Sequence, residues 1–214
     1  MNPLDHTRRN CSRLFHGIST LGAASVCERK LAIILVMIIA LWLSPVQHAQ
    51  TNPPGEYEIK AAFLFNFAKF IDWPNGTFAS SQSPITICVL GKDPFGHALD
   101  DNLRGKMIGD QPLAIRRVKD TAEARRCQMV FVSSSETGHF VEILESLRGA
   151  NLLLVGDTAG FASSGGTIEF TLDRDNHVRF TINTDAADRS GLKFSAKLLA
   201  LAKIVHDDGH AKGE

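Results

Sequence analysis

Three short runs in this chain carry almost nothing but apolar side chains: I-T-I-C-V-L (85–90), M-V-F-V (129–132) and N-L-L-L-V (151–155). A strand with one wet face alternates in polarity, whereas an unbroken apolar strand is covered on both faces. Helical patterns separate these runs: one around Phe95 to Leu103, T-A-E-A-R-R at 121–126, and Glu136 to Leu147, where Phe140, Ile143, Leu144 and Leu147 share one face. Strands joined by helical crossovers predict a parallel sheet with helices above and below it. Pro112 to Val118 reads as a further strand with imperfect alternation. T-I-E-F-T-L (167–172) and H-V-R-F-T-I (177–182) alternate cleanly around D-R-D-N, which predicts a hairpin with one wet face.

Helices bracket this core. Glu56 to Trp73 is predicted as one helix stopped by Pro74, buried on most sides, with Glu58, Asn66, Lys69 and Asp72 on a narrow polar stripe. A last helix is predicted from about Asp188 to Val205. The expected fold is therefore α/β: a single-domain sandwich over residues 56–205, with a mixed, mostly parallel sheet, an antiparallel hairpin near the C-terminus and helices on both faces.

The residues before 56 read as export and linker. Leu31 to Leu43 is an apolar block preceded by Arg29-Lys30 and followed by Ser44-Pro45. At about 1.5 Å per residue it spans roughly 20 Å, short of a bilayer's ~30 Å apolar core but the length of a secretory signal. Residues 1–49 are read as the export region with cleavage near Ala49, and a start at Val26 would give the signal an ordinary length. An uncleaved anchor is the competing expectation. Arg8-Arg9 lies too far upstream for a twin-arginine signal. Gln50 to Gly55 is a linker, and 206–214 a polar tail expected to fray.

Cys88 and Cys127 are the two cysteines beyond the signal, each at the end of an apolar run. In an oxidising compartment they are expected to pair. Of the 23 basic and 23 acidic side chains, five and two fall within residues 1–49, so the rest carries 18 basic against 21 acidic. That balance argues against nucleic acid as a partner. Thirteen phenylalanines against one tyrosine suit a packed core better than a sugar-stacking surface.

Several motifs invite chemistry and fall short of it. Gly91 to Gly96 (G-K-D-P-F-G) lacks the following Lys and Ser/Thr that hold phosphate and Mg²⁺. Ser133-Ser134-Ser135-Glu136 with His139 has no nucleophile elbow, and these serines suit a helix cap. His97, His139, His177, His206 and His210 do not fall at metal-ligating spacings on a regular element, since His206 and His210 lie on the tail expected to fray. No catalytic residue, metal or cofactor is expected. Arg189, Lys193 and Lys197 fall at i, i+4 and i+8 of the last predicted helix, a basic stripe suited to an anionic partner. Phe65 interrupts the polar stripe of the first helix beside Lys69. Either it is an exposed interface residue or something covers it.

K-A-A-F-L-F-N-F-A-K-F-I-D-W-P (60–74), I-C-V-L-G-K-D-P-F-G (87–96), R-C-Q-M-V-F-V-S-S-S (126–135), G-T-I-E-F (166–170), V-R-F-T-I-N (178–183) and S-G-L-K-F-S-A-K-L-L-A-L-A (190–202) together resemble the YfiR-like periplasmic proteins. The first and last are the most specific. The resemblance implies a compact periplasmic α/β regulator that tends to dimerise and that represses a membrane-bound diguanylate cyclase by binding its periplasmic sensor region. It implies no catalytic site, and it matches Cys88 and Cys127 to a bonded pair of the family. A second family pair has no counterpart here. Phe65, Lys69, Arg189, Lys193 and Lys197 are the expected partner-binding residues. A small-ligand receptor, with its pocket near Gly91, Ser133 and Gly156, is the alternative; such a receptor would serve a sensor kinase or outer-membrane transporter.

Overall fold

A computed structural model describes residues 55–207. The expected export region, most of the linker and the tail beyond Asp207 lie outside the described residues. Helix α1 (Glu56–Lys69) opens the fold. Its first turn is closed by the Gly55 N–H, which donates to the Glu58 carboxylate at 3.1 Å, and Glu56 and Glu58 face the positive end of its dipole. The helix ends four residues before the expected Trp73. The Phe70 carbonyl accepts from the Ser195 N–H at 3.0 Å, and Ile71–Asp72 becomes a short strand, β1. A hydrogen bond from distant sequence has replaced the next helical turn.

The chain then builds β2 (Ile85–Leu90), α2 (Ala98–Leu103), β3 (Met107–Ile108), β4 (Gln111–Val118), α3 (Thr121–Ala124), β5 (Met129–Val132), a 3₁₀ turn at Ser134–Glu136, α4 (Phe140–Leu147) and β6 (Leu153–Gly156). The hairpin β7 (Ile168–Leu172) and β8 (Val178–Asn183) follows. The eight-stranded sheet runs β10-β8-β7-β6-β5-β2-β4-β3, where β10 is Lys203–Val205. Most neighbours are parallel; β7–β8 and β4–β3 are antiparallel. The expected mixed, mostly parallel sandwich is the observed one.

The apolar runs divide by residue parity. Ile85, Ile87, Val89, Met129, Phe131, Leu153 and Val155 face α1 and α2; Cys88, Leu90, Val130, Val132 and Leu154 face α3 and α4. Both faces are covered, which is why these strands do not alternate. The hairpin differs from its expected wet face. Arg179 near its turn is exposed, but Glu169 and Thr181 are buried, and Glu169 accepts from the N–H groups of Gly160 (3.2 Å) and Ala162 (3.0 Å). A returning loop covers that end of the second face.

The single C-terminal helix is the largest correction. The segment breaks into α5 (Thr184–Arg189), β9 (Lys193–Phe194), α6 (Ala196–Leu199) and β10. Two caps account for it: Asn183 accepts from the Ala186 N–H at 3.0 Å, and Ser195 from Leu198 at 3.3 Å. Gly191 takes φ +66°, and a Cβ there would sit 3.3 Å from Pro74. Antiparallel pairing of β9 with β1, Ile71 opposite Phe194 and Asp72 opposite Lys193, fixes the break. His206 and Asp207 are likewise held rather than frayed: Asn183 Nδ2 donates to Asp207 at 2.7 Å, and His206 Nδ1 lies 2.9 Å from Asp185.

Candidate interaction surface

Ligands of open α/β sheets usually sit where parallel strands end at their carboxyl termini. Here β2, β5 and β6 are neighbours, so Gly91, Ser133 and Gly156 do come to one rim. The chain's own side chains fill the space. A Cβ on Gly91 would lie 2.6 Å from Ser135 and Glu136, and one on Gly156 2.7 Å from the Phe161 ring. Ser133 is buried and accepts from the Ser135 N–H (3.3 Å), while Ser135 Oγ donates to Glu136 at 3.0 Å. The His139 ring lies 3.8 Å from Glu142. Ser133 caps a 3₁₀ turn at Ser134–Glu136 rather than the helix expected from Glu136, which starts at Phe140.

The rim is also locked electrostatically. Lys60, buried on α1, donates to Asp157 at 3.0 Å just beyond β6, and Tyr57 Oη donates to the same oxygen at 2.8 Å. Burial alone would push the Lys60 ammonium down, but its bonds to Glu56 and Asp157 outweigh that and hold its pKa above the ordinary lysine value. Burial pushes the Tyr57 phenol up, with the Asp157 bond adding to it. The Gly91–Gly96 turn is braced as well. Asp93 accepts from the Phe95 N–H (2.7 Å) and from Arg117 Nε (2.8 Å), and Arg117 also holds Asp100 at 3.0 Å. With two carboxylates and a guanidinium already matched there, the turn is a clamp between β4 and α2.

The expected partner-binding residues separate into three groups. Phe65 is half-buried against the α1 core, and the Lys106 ammonium lies 4.5 Å from its ring centroid. A neighbouring loop therefore covers it in part, and the rest of the ring remains accessible. Lys69 is exposed at the end of α1, 5.5 Å from the Phe70 ring. The β1–β9 ribbon sets Lys193 opposite Asp72, so one residue of the expected polar stripe and one of the expected basic stripe pair there. Arg189 does not join them: it forms an ion pair with Asp207. Lys197 is exposed on α6. The i, i+4, i+8 stripe does not form, because its members stand on α5, β9 and α6.

Sequence reasoning missed two surface features. Leu201 and Ile204 are 70% and 41% exposed beside the sheet edge. Both lay inside the single helix expected over 188–205; Asn183 and Ser195 are the capping signals that argued for the break. A groove of about 510 Å³ also runs between Trp73–Ser81 and Ile108–Gln111. Trp73 is one of its lining residues, and its indole N–H is buried with no hydrogen-bond partner among the described residues.

Comparison with known proteins agrees with the motifs. A family model described as YfiR/HmsC-like matches residues 57–203. Among solved structures, a conserved domain protein from Vibrio cholerae O1 biovar El Tor aligns at 10% identity with a TM-score of 0.49, covering 70% of this chain and 60% of its own. An ABC domain in complex with L-Trp from Streptococcus pneumonia aligns at 12% identity with a TM-score of 0.43, covering 56% and 55%. The match over residues 57–203 takes in every element from α1 to the start of β10, including the ribbon where the first and last motifs meet, and the chain accordingly belongs to the YfiR/HmsC-like family.

Proposed function

We propose that this protein is a non-catalytic periplasmic regulator that binds the sensor region of an inner-membrane signalling enzyme, foremost a diguanylate cyclase, and holds it in its inactive state. Family membership over residues 57–203 is the observation that carries this reading. Two features of the fold support it. The strand-end rim where a substrate would sit is filled by Ser135, Glu136 and Phe161. The two most specific motifs instead meet in a short ribbon that sets Lys193 opposite Asp72. Among the described residues no helix is long and apolar enough to cross a membrane. Repression then needs only tighter binding to the off state: a bias of ~5.5 kcal/mol moves a two-state sensor from 1:99 to 99:1.

The test is genetic and biochemical together. Deleting the gene should raise cellular cyclic-di-GMP, complementation should restore it, and the purified protein should retain the sensor region of the affected cyclase. Unchanged cyclic-di-GMP with no retained sensor region would defeat the reading. A small-ligand receptor is the second reading, and the Trp73 groove with its unpartnered indole N–H is the observation that favours it. A thermal-shift screen separates the two: a ligand whose stabilisation disappears in Trp73→Phe favours the receptor.

A further inference from the structure

We propose that strand β10 is a docking edge, and that its occupant is an extended segment of a partner protein, carrying apolar and acidic residues, which adds to the sheet as one more strand. This rests on the reading of the protein as a regulator that acts by binding, and it names the surface and the mode.

Among the described residues β10 ends the eight-stranded sheet and pairs on one side only, with β8. Its outer side therefore presents backbone N–H and C=O groups of the kind that accept another strand. Natural edges are usually blunted by shortness, charge or proline. The opposite edge, β3, is two residues long. β10 carries one guarding residue, Lys203, but sets Ile204 in solvent, and Leu201 just before it is the most exposed large apolar side chain among the described residues. A blunted edge has no use for two exposed aliphatic chains, whereas a strand-binding edge uses them to seat alternate side chains of its guest.

Charge selects the guest. Lys203 on the strand and Lys197 on α6 just before it are exposed, and neither has a carboxylate within 4.0 Å among the described residues. The carboxylates beside the strand, Asp185 and Asp207, are already matched to His206 and Arg189. The edge is thus left cationic. A second copy would add further positive charge to the same edge, whereas an acidic segment neutralises it. The edge is also preorganised: Asp207 is tied to Asn183 and Arg189, and its N–H donates to Asp185 at 3.1 Å, so little ordering remains to oppose binding.

The experiment uses the exported protein and the periplasmic sensor region of each membrane-bound diguanylate cyclase of the same cell. Amide exchange is followed by mass spectrometry and affinity by surface plasmon resonance. Strand addition should slow exchange of the amides of residues 203–205 in the complex. L201E/I204E should weaken binding at least about tenfold with the melting temperature preserved. K197E/K203E, altering only exposed side chains, should slow association and flatten its salt dependence, and it decides the matter if the first variant is unfolded. Wild-type binding with both variants unaffected and no protection at 203–205 overturns the docking edge while leaving the regulator standing. Loss of self-association in L201E/I204E with sensor binding intact assigns the edge to a second copy and also overturns it. Failure of the wild type to bind any sensor region overturns the regulator and the edge together.

Discussion

On one face of the sheet the fourteen-residue α1 lays Leu64 and Phe67 into an aromatic cluster; on the other, α3 and α4 span four and eight residues and cover a smaller core. Phe67 stands 5.1 Å from Phe180 and 5.6 Å from Phe170, centroid to centroid, and Phe63 is 5.3 Å from Phe180. The second face has Phe140 and Phe161 alone at 6.0 Å, but it holds the Cys88–Cys127 bond, which joins β2 to the turn before β5 across 39 residues. One face is thus held by area and aromatic packing, the other by a covalent link under short helices. Short helices bury little surface and do not hold themselves, so a staple restricting the unfolded chain compensates.

If area holds the first face, its aromatic centre should be the costliest place to cut. Phe67→Ala should lower stability by about 3–5 kcal/mol in urea or guanidinium unfolding, and a loss under 1 kcal/mol would show that the face is not sealed by α1. The buried ion pair on the same face should behave differently. Lys60→Met leaves the Asp157 carboxylate buried beside Tyr57 alone and should cost about 3–5 kcal/mol, while adding Asp157→Leu should recover much of that. Equal losses in the single and double variants would refute the uncompensated-charge explanation.

The second face should yield next. Replacing both Cys88 and Cys127 with alanine should cost about 2–4 kcal/mol, because a loop of this length carries roughly 4 kcal/mol of closure entropy before strain and lost packing are counted. Non-reducing peptide mapping of the exported protein should find the pair cross-linked. Reduction that left the melting curve unmoved would remove the distinction between the faces.

The smallest effect lies outside both cores. The hydrogen bond to Asp185 raises the His206 pKa above its ordinary value, and the same bond lowers that of Asp185. The His206 contribution is complete below its unfolded pKa and disappears as pH rises through the raised folded value; the Asp185 contribution disappears as pH falls through its depressed value. Their latch on the end of β10 is therefore strongest between those two limits. NMR titration should place His206 above 6.5 and return it toward that value in Asp185→Asn, with little change in global stability because both groups are exposed.

The strands and part of the second-face core were readable from sequence because their cause is local. Ile85–Leu90 and Met129–Val132 are recovered residue for residue, and Ile143, Leu144 and Leu147 pack as their spacing on α4 required. The failures share a different cause. Phe70 to Trp73 and Lys193 to Val205 carry helical spacing, but each surrenders it to a hydrogen bond from far along the chain: Ser195 to Phe70, β9 to β1, β10 to β8. Helical spacing describes a preference worth tenths of a kcal/mol per residue, which tertiary pairing of backbone groups readily overrides. The candidate surface was accordingly only half legible, since Asp72 and Lys193 could be named but not seen to pair, and Leu201 and Ile204 lay inside the expected last helix with no exposure foreseen. Sequence by itself determined which strands are covered on both sides and which cysteines can bond, because continuous apolar runs and residue identity set these. Tertiary structure alone decided which edge stays open and what it exposes, because an edge exists only once every other strand has found its neighbour.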